Sequence, residues 1–188
     1  MDHEISGAST IDGVVLRSLS SHSDDRGALT ELMRLTWLGD APMPVQWNHV
    51  RTNPNVLRGI HVHVTHWDLL VVSEGEATIG LVDLRKKSNT YRKSRIVRMR
   101  GDAMSVISIP PGIAHGFHFP RGGVFIYALS HYWDPIGDEF ACRWDDPALA
   151  LDWGCVETPV LSPRDESAGS LEELLRTLKG KAGWCESD

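Results

Sequence analysis

His61, His63 and His66 fall within one short segment of the chain, and His115 and His118 within another. Histidine changes charge near neutral pH, so it serves as acid, base or metal ligand. Residues two apart on an extended strand share a face, so His61 and His63 point the same way. The second group follows Pro110-Pro111-Gly112-Ile113-Ala114, a rigid turn that places His115 at the start of a strand. A lone buried histidine is more often a satisfied core residue than a catalyst. Two clusters, framed by Arg58-Gly59 and Pro111-Gly112, point to function instead.

Other polar residues sit beside strand-like runs. Asp25-Arg26-Gly27 is followed by Glu31, and Gln46 and Asn48 share a face by spacing. Tyr127 is embedded in an apolar strand, and Asp165 follows Leu161-Ser162-Pro163-Arg164. Each alone has a plain structural explanation. Asp25-Arg26-Gly27 reads as a surface turn, Tyr127 as a core aromatic with a bonded tip, and Asp165 as the cap of a local turn.

The elements that must position these groups are mostly strands. Leu69-Leu70-Val71-Val72 reads as a buried strand, Ser73-Glu74-Gly75-Glu76 as a turn, and Ala77 to Val82 as the returning strand. Arg95 to Arg100, Ser105 to Ile109 and Val124 to Leu129 are further strands, the last rich in β-branched and aromatic residues. Turns recur at Asn53-Pro54-Asn55, Arg100-Gly101-Asp102, Pro110-Pro111-Gly112 and Arg121-Gly122-Gly123. Many short strands predict an antiparallel sandwich or barrel. One helix is expected over 170–180, opened by a capping box at Ser170 and Glu173 and ended by Gly180.

The 188 residues suit a single domain with a real core. A net charge of −6, from 19 basic and 25 acidic residues, argues against a nucleic-acid binder. One diphosphate ligand needs only one or two local arginines. The basic stretch from Lys86 to Arg100 reads as a solvated sheet face. No apolar run is long enough to span a bilayer, and the first residues carry no secretory pattern. Cys142, Cys155 and Cys185 form no even framework, which fits reduced thiols in a cytoplasm. The tail over 181–188 is expected to fray.

Together the polar residues form a series that resembles the dTDP-4-dehydrorhamnose 3,5-epimerase family of the cupin superfamily. The matching pieces run from Asp25-Asp-Arg-Gly-Ala-Leu-Thr-Glu31 through Gln46-Trp-Asn48, Val56-Leu-Arg-Gly-Ile-His61 and Ile109-Pro-Pro-Gly-Ile-Ala-His-Gly-Phe117. They continue through Tyr127 and Arg143-Trp-Asp-Asp-Pro147 to Leu161-Ser-Pro-Arg-Asp165. The resemblance implies an all-β jelly-roll barrel and epimerisation of a dTDP-linked 4-keto-6-deoxyhexose at C3, C5 or both. It implies His61 as base, Asp165 as the carboxylate that orients it, and Tyr127 as acid. Arg26, Glu31, Gln46, Asn48, Arg58, His115 and Trp133 would line the nucleotide and sugar sites. It implies no required cofactor, and a homodimer with the arm over 1–17 exchanged between subunits.

The chain departs from that pattern in one place. The family usually carries a lysine near the C4 oxygen, where this sequence has Asp68. A carboxylate repels the charge that develops there. The glutamine usual two residues after the histidine is His63 here. His61, His63, Asp68 and His115 instead fit the ligand motifs of metal-dependent cupins, a donor set suited to Fe, Mn, Ni or Zn. A divalent metal in that set could replace the lysine, but His61 would then be a ligand and not a free base. A third reading is a nucleotide-sugar-binding barrel without catalysis.

Overall fold

A computed structural model describes residues 11–181 and residue 184. Its strands are β1 (Val15–Ser18), β2 (Ser21–Asp24), β3 (Gly27–Thr30), β4 (Gln46–Thr52), β5 (Val56–Val62) and β6 (Asp68–Asp83). They continue with β7 (Ser94–Arg100), β8 (Ser105–Ile109), β9 (Ile113–Phe119), β10 (Gly123–Leu129) and β11 (Phe140–Ala141). Two helices follow, α1 (Pro163–Glu166) and α2 (Leu171–Leu178). Every strand ladder is antiparallel, and two five-stranded sheets face each other as a jelly roll. One sheet has the order β1-β8-β6-β10-β4 and the other β7-β6-β9-β5-β11, so β6 belongs to both.

The continuous β6 corrects the expectation of a turn at Ser73 to Glu76. Glu74 and Gly75 stay paired with β10, where they face Val124 and Gly123. Gly75 adopts φ +78°, and its carbonyl accepts from Gly101 N at 2.9 Å. The chain therefore bends rather than reverses, and passes from one sheet to the other. The bend also switches which residues face inward. Leu70 and Val72 point into the space between the sheets before it, and Ala77, Ile79 and Leu81 after it. Strands that change sheets through an irregularity are how a sandwich turns its corners.

The interior is packed by Leu70, Val72, Ile79, Leu81, Ile107, Phe119 and Phe125, contributed by both sheets. The outer face of the second sheet is covered by the C-terminal segment. There α2 buries Leu171, Leu174 and Leu178 against Leu57, Val62 and Val82. Each leucine contributes about 1.5–3 kcal/mol by leaving water. The expected capping box is present: Ser170 Oγ accepts from Glu173 N at 3.2 Å, and Glu173 Oε2 accepts from Ser170 N at 2.7 Å.

Gly80 and Gly116 lie opposite each other on β6 and β9 and leave a slot that Trp153 fills. A Cβ at Gly80 would stand 2.5 Å from the Trp153 ring. Gly80→Ala is therefore expected to destabilise the fold by about 1–3 kcal/mol. The check is a lower urea midpoint with an unchanged circular dichroism spectrum; an unchanged midpoint would show that the ring does not seat there.

Of the arm expected over 1–17, the first ten residues lie outside the described residues. The remainder leads into β1, which pairs with β8 of the same chain, Val15 opposite Ser108. Of the expected tail, Lys181 and Trp184 are described. Cys142 and Cys155 are free thiols, and burial followed by the Asp146 charge pushes Cys142 up to about 12. No helix among the described residues is long and apolar enough to cross a membrane.

Candidate active site

A cavity of about 330 Å³ opens between the sheets, lined by Arg58, His61, His63, His66, Asp68, His115, Tyr127, Trp133, Glu139 and Asp165, among others. On a regular strand Arg58 and His61 would face opposite ways, because they stand three positions apart. The ladder between β5 and β9 pairs Arg58 with Phe117 but His61 with His115, so β5 carries one extra residue. Gly59 occupies this bulge at φ +117°, and a Cβ there would stand 2.7 Å from Gly116 Cα. The bulge turns Arg58, His61 and His63 all inward, while Leu57, Ile60 and Val62 pack outward against α2.

His61 is gripped by groups far away in sequence. Its Nε2 lies 2.7 Å from Asp165 Oδ1. A carboxylate can only accept, so the Asp165 contact places the proton on Nε2 and leaves Nδ1 as the basic nitrogen; Arg164 Nη2 also stands 2.7 Å from Nε2 and finds its acceptor in Glu139 Oε1. Asp165 is fixed in turn by Ser162 Oγ, which donates to Oδ2 at 2.8 Å. Ser162 also caps α1, accepting from Asp165 N at 3.1 Å. Burial raises the Asp165 carboxyl, but the His61 bond and charge, with Ser162 and Arg164, hold it below the usual carboxylate range.

A second carboxylate, Glu139, flanks the same ring with Oε1 3.4 Å from His61 Nδ1. Arg164 Nη2 donates to Glu139 Oε1 at 2.8 Å, and Trp133 Nε1 donates to Oε2 at 2.8 Å. Burial raises Glu139, but His61, His63, Trp133 and Arg164 outweigh it and keep the group ionised. An imidazolium formed at His61 would thus lie between two carboxylates. No spacing rule flagged Glu139. The Asp134-Pro-Ile-Gly-Asp-Glu139 segment reads as an ordinary loop, and two adjacent acids before an apolar Phe140 are its only signal.

Tyr127 reaches the cavity from β10, on the sheet facing His61. Burial, reinforced by the Asp68 and Glu139 charges, raises its phenol and keeps it protonated as a donor. Gln46 and Asn48 share a face of β4, Gln46 Nε2 donating to Asn48 Oδ1 at 3.3 Å. Gln46 Oε1 accepts from Trp133 N at 3.0 Å, which steadies the loop carrying Trp133.

Some expected site residues stand elsewhere. Arg26 extends from the β2–β3 hairpin, paired with Asp24 at 2.5 Å and almost fully exposed. Glu31 pairs with Arg34 on the surface. Neither lines the cavity of its own chain. His118, grouped with His115 by sequence, faces the opposite side of β9 and bonds Asn55 Oδ1 at 3.1 Å.

The expected metal set of His61, His63, Asp68 and His115 is also redrawn. His61 is held by Asp165, while His66 joins His63 and Asp68 with all donor atoms within 4.8 Å of one another. The reason is the loop between β5 and β6. Asp138 accepts from Val64 N, Thr65 N and His66 N at 2.5–3.3 Å and folds the loop so that His66 turns back beside His63. The two rings stack at 3.9 Å.

A jelly-roll barrel with a histidine on one sheet bonded to a carboxylate on α1, and a phenol on the other sheet, defines a cupin-type enzyme equipped for proton transfer. The chain belongs to the dTDP-4-dehydrorhamnose 3,5-epimerase family, whose pattern it matches over residues 8–173. It is 33% identical over 174 residues to the dTDP-4-dehydrorhamnose 3,5-epimerase of Escherichia coli, covering 88% of this chain and 94% of that one. A Legionella pneumophila 3,5-epimerase solved with dTDP-4-keto-L-rhamnose superimposes with a TM-score of 0.81 at 32% identity, covering 87% of this chain and 90% of the other. A 3'-monoepimerase of Streptomyces bikiniensis solved with dTDP-quinovose gives 0.81 at 27% identity, covering 89% and 88%.

Proposed function

We propose that this protein epimerises a dTDP-linked 4-keto-6-deoxyhexose at C3, C5 or both. The observation that carries this reading is the His61–Asp165 bond of 2.7 Å, joining residues 104 apart in a cavity that Tyr127 faces from the other sheet. The family membership and the ligands of its solved relatives support the substrate class.

A ketone at C4 acidifies the neighbouring C–H bonds. His61 takes such a proton on Nδ1, and Asp165 and Glu139 stabilise the imidazolium. Tyr127 returns a proton from the opposite face of the sugar, which inverts the carbon. Arg58 supports the nucleotide, since a guanidinium fork donates two bonds to a phosphate. Trp133 lines the cavity, and Gln46 steadies it from outside the lining. The homodimer that the family resemblance implies, with the arm over 1–17 exchanged between subunits, belongs to the same reading.

The test is proton exchange. With a dTDP-4-keto-6-deoxyhexose in deuterium oxide, NMR is expected to show deuterium entering beside the ketone. Absence of exchange with such sugars overturns the reading. It also separates the enzyme from a barrel that only binds nucleotide sugars.

Tyr127→Phe keeps the ring and removes the acid. Epimer formation is expected to fall by about 10²-fold or more. Deuterium exchange persists, because His61 still removes the proton and gives one back on the same face. Equal loss of exchange and inversion would refute the division of roles.

A further inference from the structure

We propose that His63, His66, Asp68 and His115 form a divalent transition-metal site in the wall of the sugar cavity. Three ring nitrogens converge on one carboxylate oxygen. His63 Nε2 and His66 Nε2 each lie 3.7 Å from Asp68 Oδ2, and His115 Nε2 lies 3.8 Å from it. These separations are too long for hydrogen bonds. They are near the spacing of ligands around one ion, where donors about 2.1 Å from the metal stand about 3.4 Å from each other; the donor atoms of His63, His66 and Asp68 all lie within 4.8 Å of one another, and His115 adjoins them through Asp68.

The opposite ring nitrogens explain why Nε2 is available. His63 Nδ1 donates to the Asp138 carbonyl at 2.7 Å, and His115 Nδ1 to the Ile113 carbonyl at 3.0 Å. A carbonyl only accepts, so these protons sit on Nδ1, which leaves Nε2 of each ring as the atom that turns toward Asp68 and can serve as a ligand. His66 Nδ1 likewise meets Asp138 Oδ2 at 2.8 Å. Such bonds to carbonyls and carboxylates are how metal-binding histidines are oriented. His66 is 1% exposed, and its Nε2 has no hydrogen-bond partner. Ring nitrogens gathered around a buried carboxylate without hydrogen bonds to it need a proton or a cation between them, and a divalent cation serves all of them at once. Imidazoles with one carboxylate suit Zn, Fe, Mn or Ni.

This assignment removes the conflict that the sequence alone raised. His61 is bound to Asp165 and stays out of the donor set, so base and metal ligands are different residues. The site's role rests on the epimerase reading, though the site itself does not: the cation would lie in the same cavity as His61 and Tyr127 and supply a positive charge beside the reacting sugar.

The full-length protein, produced without a histidine tag, is analysed by elemental mass spectrometry. It is then stripped with chelator and titrated with cobalt(II), followed by visible absorption. Stoichiometric metal and a saturable cobalt spectrum are expected, both lost in His66→Gln and in Asp68→Asn. Circular dichroism reports whether those variants fold, and His63→Gln serves if one does not. His61→Asn is expected to keep the metal. No uptake by the wild-type protein, or equal loss in His61→Asn, overturns the site. Exchange in the stripped protein is expected to fall by about 10²-fold and to return with metal. Full exchange without metal overturns its role, whereas metal binding with no exchange on any such sugar sinks the epimerase reading and leaves the site standing.

Discussion

His61→Asn is expected to lower solvent exchange and epimerisation together by about 10⁴-fold. Asparagine fills similar space and keeps a polar group toward Asp165, but it has no nitrogen that can take a proton. The His61 ring lies between two carboxylates, Asp165 at 2.7 Å from Nε2 and Glu139 at 3.4 Å from Nδ1. The other cavity histidines cannot substitute. His63 and His115 turn Nε2 to Asp68, and burial followed by repulsion from His63 drives His115 well below the ordinary histidine range. Deuterium uptake measured by NMR with saturating sugar reads the effect directly. A loss of less than tenfold would mean that another group removes the proton.

Asp165→Asn is expected to cost about 10³-fold without unfolding the protein. The carboxylate forces the proton onto His61 Nε2 and leaves Nδ1 basic. An amide can present its own N–H to Nε2, which stabilises the opposite tautomer and points the lone pair the wrong way. It also removes one of the two negative charges that stabilise the imidazolium. The residue is 4% exposed, and a neutral amide there sheds a buried charge, so stability should change little. The double variant with His61→Asn is expected to be no worse than His61→Asn alone, because the two act as one unit. Additive losses would show that Asp165 works independently of His61. The readouts are kcat for each variant and their thermal midpoints.

Much of the barrel was legible because strand composition and turn residues are local signals. The runs at 105–109 and 124–129 became β8 and β10, and the turns at Pro111-Gly112 and Gly101-Asp102 stand where the sequence puts them. The capping box at Ser170 is decided within one helical turn. The reading failed where a local signal had a distant answer. Ser73 to Glu76 has turn composition, yet β10 and the Gly101 amide supply partners that keep β6 extended. His118 sits three residues from His115 on a strand, so alternation alone sends the two to opposite faces.

The residue types around the site were set by sequence: a histidine at 61, a tyrosine at 127, an aspartate at 165, and an aspartate at 68. Which histidine does what was not. Sequence spacing counts two residues per strand face, and a single bulge at Gly59 resets that count, bringing Arg58 and His61 onto one wall. That His61 is held by a carboxylate depended on a residue 104 positions away, and whether His66 joins His63 depended on Asp138 folding the loop between them. These contacts are made by chain segments that meet only when the two sheets close. No periodicity in the sequence encodes them, and tertiary packing alone decides that His61 faces Asp165 while His63, His66 and His115 face Asp68.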